Sequence, residues 1–162
     1  MKKYELTGET KEIGGKILHR IRALIDIPEH DVKAGDLGGW IEAEKNLSQN
    51  GAAWVTGEAL VMGSARVMDS ARVMDSACVM GSARVMKSSD CITIGAIGSR
   101  DGTTTFYRCE DEKIYVSCGC FSGSIDDFAA KVKAVHAGTK HERTYLLAIE
   151  LAKAQLGTTE EE

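Results

Sequence analysis

The residues with most capacity for chemistry sit late in the chain. Cys118-Gly119-Cys120 is accompanied by Cys91, Cys109, His136 and His141. Thiolates and imidazoles are zinc ligands, but a structural zinc site uses two Cys-x₂₋₄-Cys or Cys/His pairs. Here the spacing is Cys-x-Cys with no second pair, so neither a metal nor any other cofactor is expected. Buried, unreactive thiols at a strand end are the plainer reading. Cys118 with His136 has the parts of a nucleophile and a base, yet nothing supplies a third, orienting member. No catalytic residue is assigned.

Anion binding is the other chemistry to weigh. Gly119 to Gly123 leads into a helix start near Ser124, and exposed N–H groups at such a start attract phosphate or carboxylate. Arg100 and Arg108, on a neighbouring turn and hairpin, suit bidentate phosphate contacts. Against this, Asp126 and Asp127 already satisfy the helix dipole, and no Walker or dinucleotide fingerprint is present. A plainly capped helix is the favoured reading. Arg66, Arg84, Arg100, Arg108, Ser122 and Ser124 are nonetheless the candidates for ligand or partner contact, although such arginines most often form a solvated face.

The elements that must position these residues begin with a repeat. From Val55 the chain reads VTGEAL, VMGSAR, VMDSAR, VMDSAC, VMGSAR, VMKSSD. Six residues turn an α-helix by about 600°, leaving each valine roughly 120° short of two full turns, so no apolar face forms. A β pattern does work: a short strand such as Ala65-Arg66-Val67-Met68, then a corner such as Asp69-Ser70. Alternation sends Ala65 and Val67 inward, Arg66 and Met68 outward. Gly63, Asp69, Asp75 and Gly81 fall at corners, where Gly and Asp are favoured. Three units make one coil of 18 residues. Residues 49–97 are therefore predicted to form a short parallel β-helix. One outer face then carries Leu60, Met62, Cys78 and Met80. An apolar row of this kind is costly to leave wet, so it is assigned as an oligomer interface, or as a face covered by the C-terminal module.

Residues 1–48 are expected to be a β cap. Ile17, His19, Ile21, Ala23, Ile25 and Ile27 alternate on one face, Tyr4-Glu5-Leu6 pairs with that strand, and Trp40 plugs the open end of the coil. Residues 98–156 are read as a small α+β module. It has a hairpin from Thr103–Arg108 and Lys113–Cys118, one helix beginning at Ser124 with Phe128, Val132 and Val135 inward, and another from about Glu142 to Gln155. The acidic tail, 157–162, is expected to be disordered. The overall fold class is mainly β.

Net charge is −4 with no strongly basic block, which disfavours wrapping of a nucleic-acid backbone. No stretch approaches membrane-span length. The start, Met1–Glu5, has no apolar run behind its charges. With five cysteines and no secretory segment, reduced thiols in a cytoplasm are expected.

Tyr4-Glu5-Leu6, the strand around Arg20–Leu24, Ala34-Gly35-Asp36-Leu37-Gly38-Gly39-Trp40-Ile41 and Gly51–Gly57 together resemble the start of the bacterial YdcK-like hexapeptide-repeat proteins and their phage and prophage relatives. The resemblance covers roughly residues 3–90, and with the hexapeptide register it implies a left-handed hand for the β-helix. The tail around Ile97–Arg100, Thr105–Tyr107 and Ser117–Gly123 is similar to a segment of phage-encoded proteins of unassigned function. Together they imply a non-enzymatic phage or prophage binding protein. It would be an oligomeric scaffold, a trimer first, whose C-terminal module blocks a host protein or sequesters a small nucleotide signal, as a host-takeover or anti-defence factor. The alternative is an acyl-CoA-dependent acyltransferase. Enzymes of that class use a His general base at the coil boundary, whereas the histidines here, at 19, 30, 136 and 141, all lie outside the repeat.

Overall fold

A computed structural model describes residues 1–157; apart from Gly157, the tail expected to be disordered lies outside the described residues. β1 (Tyr4–Ile13) and β2 (Lys16–Ala23) form an antiparallel hairpin. Its turn is Gly14-Gly15, both at positive φ, a conformation open to glycine without a Cβ penalty. β3 (Leu37–Ile41) pairs antiparallel with β2.

Six two-residue strands follow: β4 (Trp54–Val55), β5 (Leu60–Val61), β6 (Arg66–Val67), β7 (Arg72–Val73), β8 (Cys78–Val79) and β9 (Arg84–Val85). They pair in parallel 18 residues apart: Trp54 with Arg72, Leu60 with Cys78, Arg66 with Arg84. The cause is visible in each unit. Alanine and valine alternate inward, and Ala53, Ala59, Ala65, Ala71, Ala77 and Ala83 are buried with Val55, Val61, Val67, Val73, Val79 and Val85. Each buried valine contributes about 1.5–3 kcal/mol of apolar burial. The corners are set by Gly57, Gly63, Asp69, Asp75 and Gly81, all with φ between 57° and 68°.

The left-handed parallel β-helix expected for residues 49–97 is corrected by this pairing. The described strands fall into several separate sheets, with no closed or solenoid sheet among them. A corner every six residues ends each strand after two, so the parallel ladder stays short and scattered. β5 and β8 join a five-stranded mixed sheet in the order β1-β2-β3-β5-β8, while β4–β7 and β6–β9 stand as isolated pairs. The hexapeptide period is a property of the sequence and does not produce one continuous sheet.

The C-terminal sheet runs β10 (Cys91–Ile97), β11 (Gly102–Arg108), β12 (Ile114–Cys118), β13 (Phe121–Ser124), antiparallel throughout. Its first strand therefore starts at Cys91, earlier than the boundary at residue 98. Two helices, α1 (Ile125–His136) and α2 (Lys140–Leu156), cover one face. Ser124 caps α1 by accepting from Asp127 N at 3.1 Å, and Thr139 caps α2 by accepting from Glu142 N. Phe106, Val116, Phe128, Val132, Ile149 and Leu156 share this module's core. Val135, expected to face inward, is 63% exposed, because it falls beside the buried Val132 stripe. Tyr107 and Cys109 belong instead to the core of the repeat, and Glu110 N donates to Ser82 O at 3.1 Å.

Two expectations for the N-terminal layer are corrected. Ile17 is 58% exposed and Leu18 fully buried, because the β2–β3 register shifts between Arg20 and Arg22, so one alternating face cannot run the length of the strand. Trp40 does not plug an end. Its ring packs with Leu18 and Met62 on the outside of the repeat. Gly38 and Gly39 bring it there: a Cβ on Gly38 would lie 2.6 Å from Val55 O, and one on Gly39 2.8 Å from Ala59 O.

Candidate functional site

Residues Leu60, Met62, Cys78 and Met80, assigned to an oligomer interface, lie against the chain's own N-terminal layer. Met62 is buried beneath Leu18 and Trp40, and Leu60, Cys78 and Met80 are half-buried around them. Thr105 reaches the same strip from the C-terminal sheet, its Oγ1 accepting from Cys78 N at 3.0 Å. Lys11 stands over the Trp40 ring at 4.4 Å, a cation–π contact that completes the cover.

The C-terminal candidates are mostly committed to holding the module together. Arg108 donates through Nε and Nη2 to Leu156 O, closing the end of α2. Ser124 is the α1 cap, and Asp126 and Asp127 occupy the first turn. Ser122 lies on β13 opposite Ser117, and Arg100 is exposed on the turn between β10 and β11. These residues do not converge on a common point.

Cys118 and His136 are not paired; Tyr145 stands between them. Thr104 Oγ1 donates to Cys118 Sγ at 3.2 Å, and Cys118 Sγ lies 3.8 Å from Tyr145 OH. The Tyr145 ring is 5.6 Å from that of His136, which is 5.8 Å from that of His141. Burial, then the bond to Cys118, pushes the Tyr145 phenol up to about 12. The Tyr145 phenol is therefore protonated and buried, placed to bond with Cys118 and not to act as an activated nucleophile. Among the described residues no three His, Cys, Asp or Glu side chains gather as metal ligands. Burial also pushes Cys91 up to about 12 and raises Cys78 and Cys109. No helix of the described residues is long and apolar enough to cross a membrane.

Tyr145 and Thr104 were not singled out as polar partners from the sequence; the available signal was a tyrosine inside an apolar helical stripe, whose hydroxyl must find a partner. Lys3 gave no signal. It is buried, and its ammonium donates to Ala53 O at 2.7 Å and Gly51 O at 3.3 Å. Burial lowers it to about 8. His30, half-buried, is held below the usual imidazole range by burial and then by Arg72.

Arg66 and Arg84 are different. They are exposed, directly in register on β6 and β9, and neither makes an ion pair or side-chain hydrogen bond among the described residues. Met68 and the 43%-exposed Met86 follow them on the same face. A polar groove that includes Arg66 is lined by Glu44, Lys45, Ser48, Gln49, Asn50 and Asp69. Glu44 is already engaged by Lys2 at 2.8 Å. Neither protein-family descriptions nor curated proteins match this chain.

Proposed function

We propose that the chain is a non-enzymatic binding protein that docks an acidic segment of a partner protein, a host protein if the chain is phage-encoded, on the face carrying Arg66, Arg84, Met68 and Met86. The observation that carries this reading is the pair of in-register arginines, neither of which has an ion-pair partner among the described residues. Neighbouring strands lie about 4.8 Å apart, and like charges placed opposite one another are destabilising. A carboxylate-bearing partner relieves that repulsion and gains bidentate hydrogen bonds. The methionines supply adaptable apolar contact beside it, and arginine is over-represented among residues that dominate interfaces.

Capture from the native cytoplasm, with mass spectrometry of proteins and small molecules, tests this. Arg66→Glu with Arg84→Glu should weaken capture of a partner protein by about tenfold or more. Capture should also fall as salt is raised from low to physiological ionic strength. A partner retained equally by the double variant overturns the proposal. A nucleotide recovered in place of a protein also overturns it, in favour of a small-ligand reading.

A further inference from the structure

The outward side of α2 carries a second unpartnered surface. Its inner side, Tyr145, Ala148, Ile149, Ala152 and Leu156, is buried in the module. Leu147 and Leu151 point the other way, 61% and 53% exposed. Arg143, Leu146, Leu147 and Glu150 line one shallow depression, which Thr139 and Glu142 extend towards the helix start, the Glu142 carboxylate there being engaged by Gly138 N at 2.6 Å. The first four stand at i, i+3, i+4 and i+7, the arrangement that bounds one hole in knobs-into-holes packing. Arg143 and Glu150 are about 10.5 Å apart along the axis, too far to pair within the helix. Neither forms an ion pair among the described residues.

We propose that this face binds a second copy of the chain, α2 against α2, as an antiparallel two-fold dimer. The order of the charges selects that geometry. A parallel pairing would set Arg143 beside the second copy's Arg143 and Glu150 beside its Glu150. Turning one helix around sets Arg143 against the second copy's Glu150, twice, with Leu146 and Leu147 of both copies packed between. A two-fold contact of this kind is isologous and closes at two subunits, which points to a dimer and not the trimer that the family resemblance implies. The competing surface around Met62 is already occupied by Leu18 and Trp40. The inference is independent of the acidic-partner face, which lies on β6 and β9.

Sedimentation equilibrium on the full chain tests it. The wild type should associate to a dimer. Leu147→Glu should raise the dissociation constant by about tenfold or more, the equivalent of about 1.4 kcal/mol. Arg143→Glu alone and Glu150→Arg alone should each weaken the dimer, and the two together should restore it, since the swapped charges again meet across the axis. Far-ultraviolet circular dichroism should be unchanged in all four, because the altered side chains are on the exposed side of α2. A wild-type monomer, an assembly indifferent to Leu147→Glu, or single charge reversals that the double variant does not rescue would each overturn the proposal.

Discussion

Between Ala53 and Val85 the core is a column of alanines and valines; between Phe106 and Leu156 it is built around aromatic rings. In the first region every unit makes the same small contribution, and the parallel pairings repeat without any one of them linking distant elements. In the second, Phe128 lies 6.2 Å from the Phe106 ring, 5.3 Å from Phe121 and 5.5 Å from Tyr145. One side chain of α1 thus ties β11, β13 and α2 together. The difference teaches that burial can be spread evenly or concentrated, and the two arrangements should fail differently.

The sharpest test is to remove one side chain from each. Phe128→Ala should cost about 3–5 kcal/mol, because it leaves a cavity where three elements meet. Val73→Ala, in a column of similar residues, should cost about 2 kcal/mol. Urea denaturation of both variants measures the gap. Equal losses would mean that the stability of the repeat is as concentrated as that of the module.

How much could be read from the residues follows the same division. The inward valines and alanines and the Gly and Asp corners were legible, because each depends on neighbours within six residues. The helix start at Ser124 was legible for the same local reason, whereas the second helix, read from about Glu142, begins at Lys140 behind its Thr139 cap. The sheet arrangement was not: a period of six is compatible with one continuous sheet or with several short ones, and only the length of each strand between corners decides. The place of Trp40 was hidden because Gly38 and Gly39 act through close approach to Val55 and Ala59, which no spacing reveals. The register shift that exposes Ile17 is likewise a long-range property. Of the candidate contacts, Arg66 and Arg84 could be placed as outward neighbours, whereas the bond from Arg108 to Leu156 O joins residues 48 apart.

Lys3 offers a sharper view of how the repeat differs from the module, since a single buried amine satisfies two carbonyls at the beginning of the alanine–valine column. Its pKa is lowered by burial from 10.5 to about 8. Between those values the unfolded chain holds a proton that the folded chain has released, so this group makes stability rise with pH across that window. Buried Cys91, raised to about 12, acts in the opposite sense above pH 9. The Lys3 contribution is therefore isolated by comparison with Lys3→Met. The variant's stability relative to wild type should fall further, on the order of 2 kcal/mol, between pH 7.5 and pH 10. Denaturant titrations at the two pH values measure it. A difference that does not move with pH would show that Lys3 titrates alike in both states.

The smallest effect separates the repeat from what ends it. Asp69 and Asp75 hold φ at 57° and 59°, a region that glycine enters freely, that aspartate tolerates, and that β-branched residues avoid. The next residue at that period after Gly81 is Lys87, and its backbone is extended, with φ at −138°. The Asp90 carboxylate accepts from Lys87 N at 3.1 Å and from Met86 N at 3.0 Å, which holds the chain in its exit turn. The same substitution should therefore have different outcomes at the two places. Asp69→Gly should change stability by no more than a few tenths of a kcal/mol, since relief of backbone strain offsets the added freedom of the unfolded chain. Lys87→Gly brings no such relief and should cost about 0.5–1 kcal/mol. Asp69→Val should cost about 1–2 kcal/mol. Thermal melts of the three variants rank them, and a Lys87→Gly chain as stable as Asp69→Gly would mean that the corner conformation is not what stops the repeat.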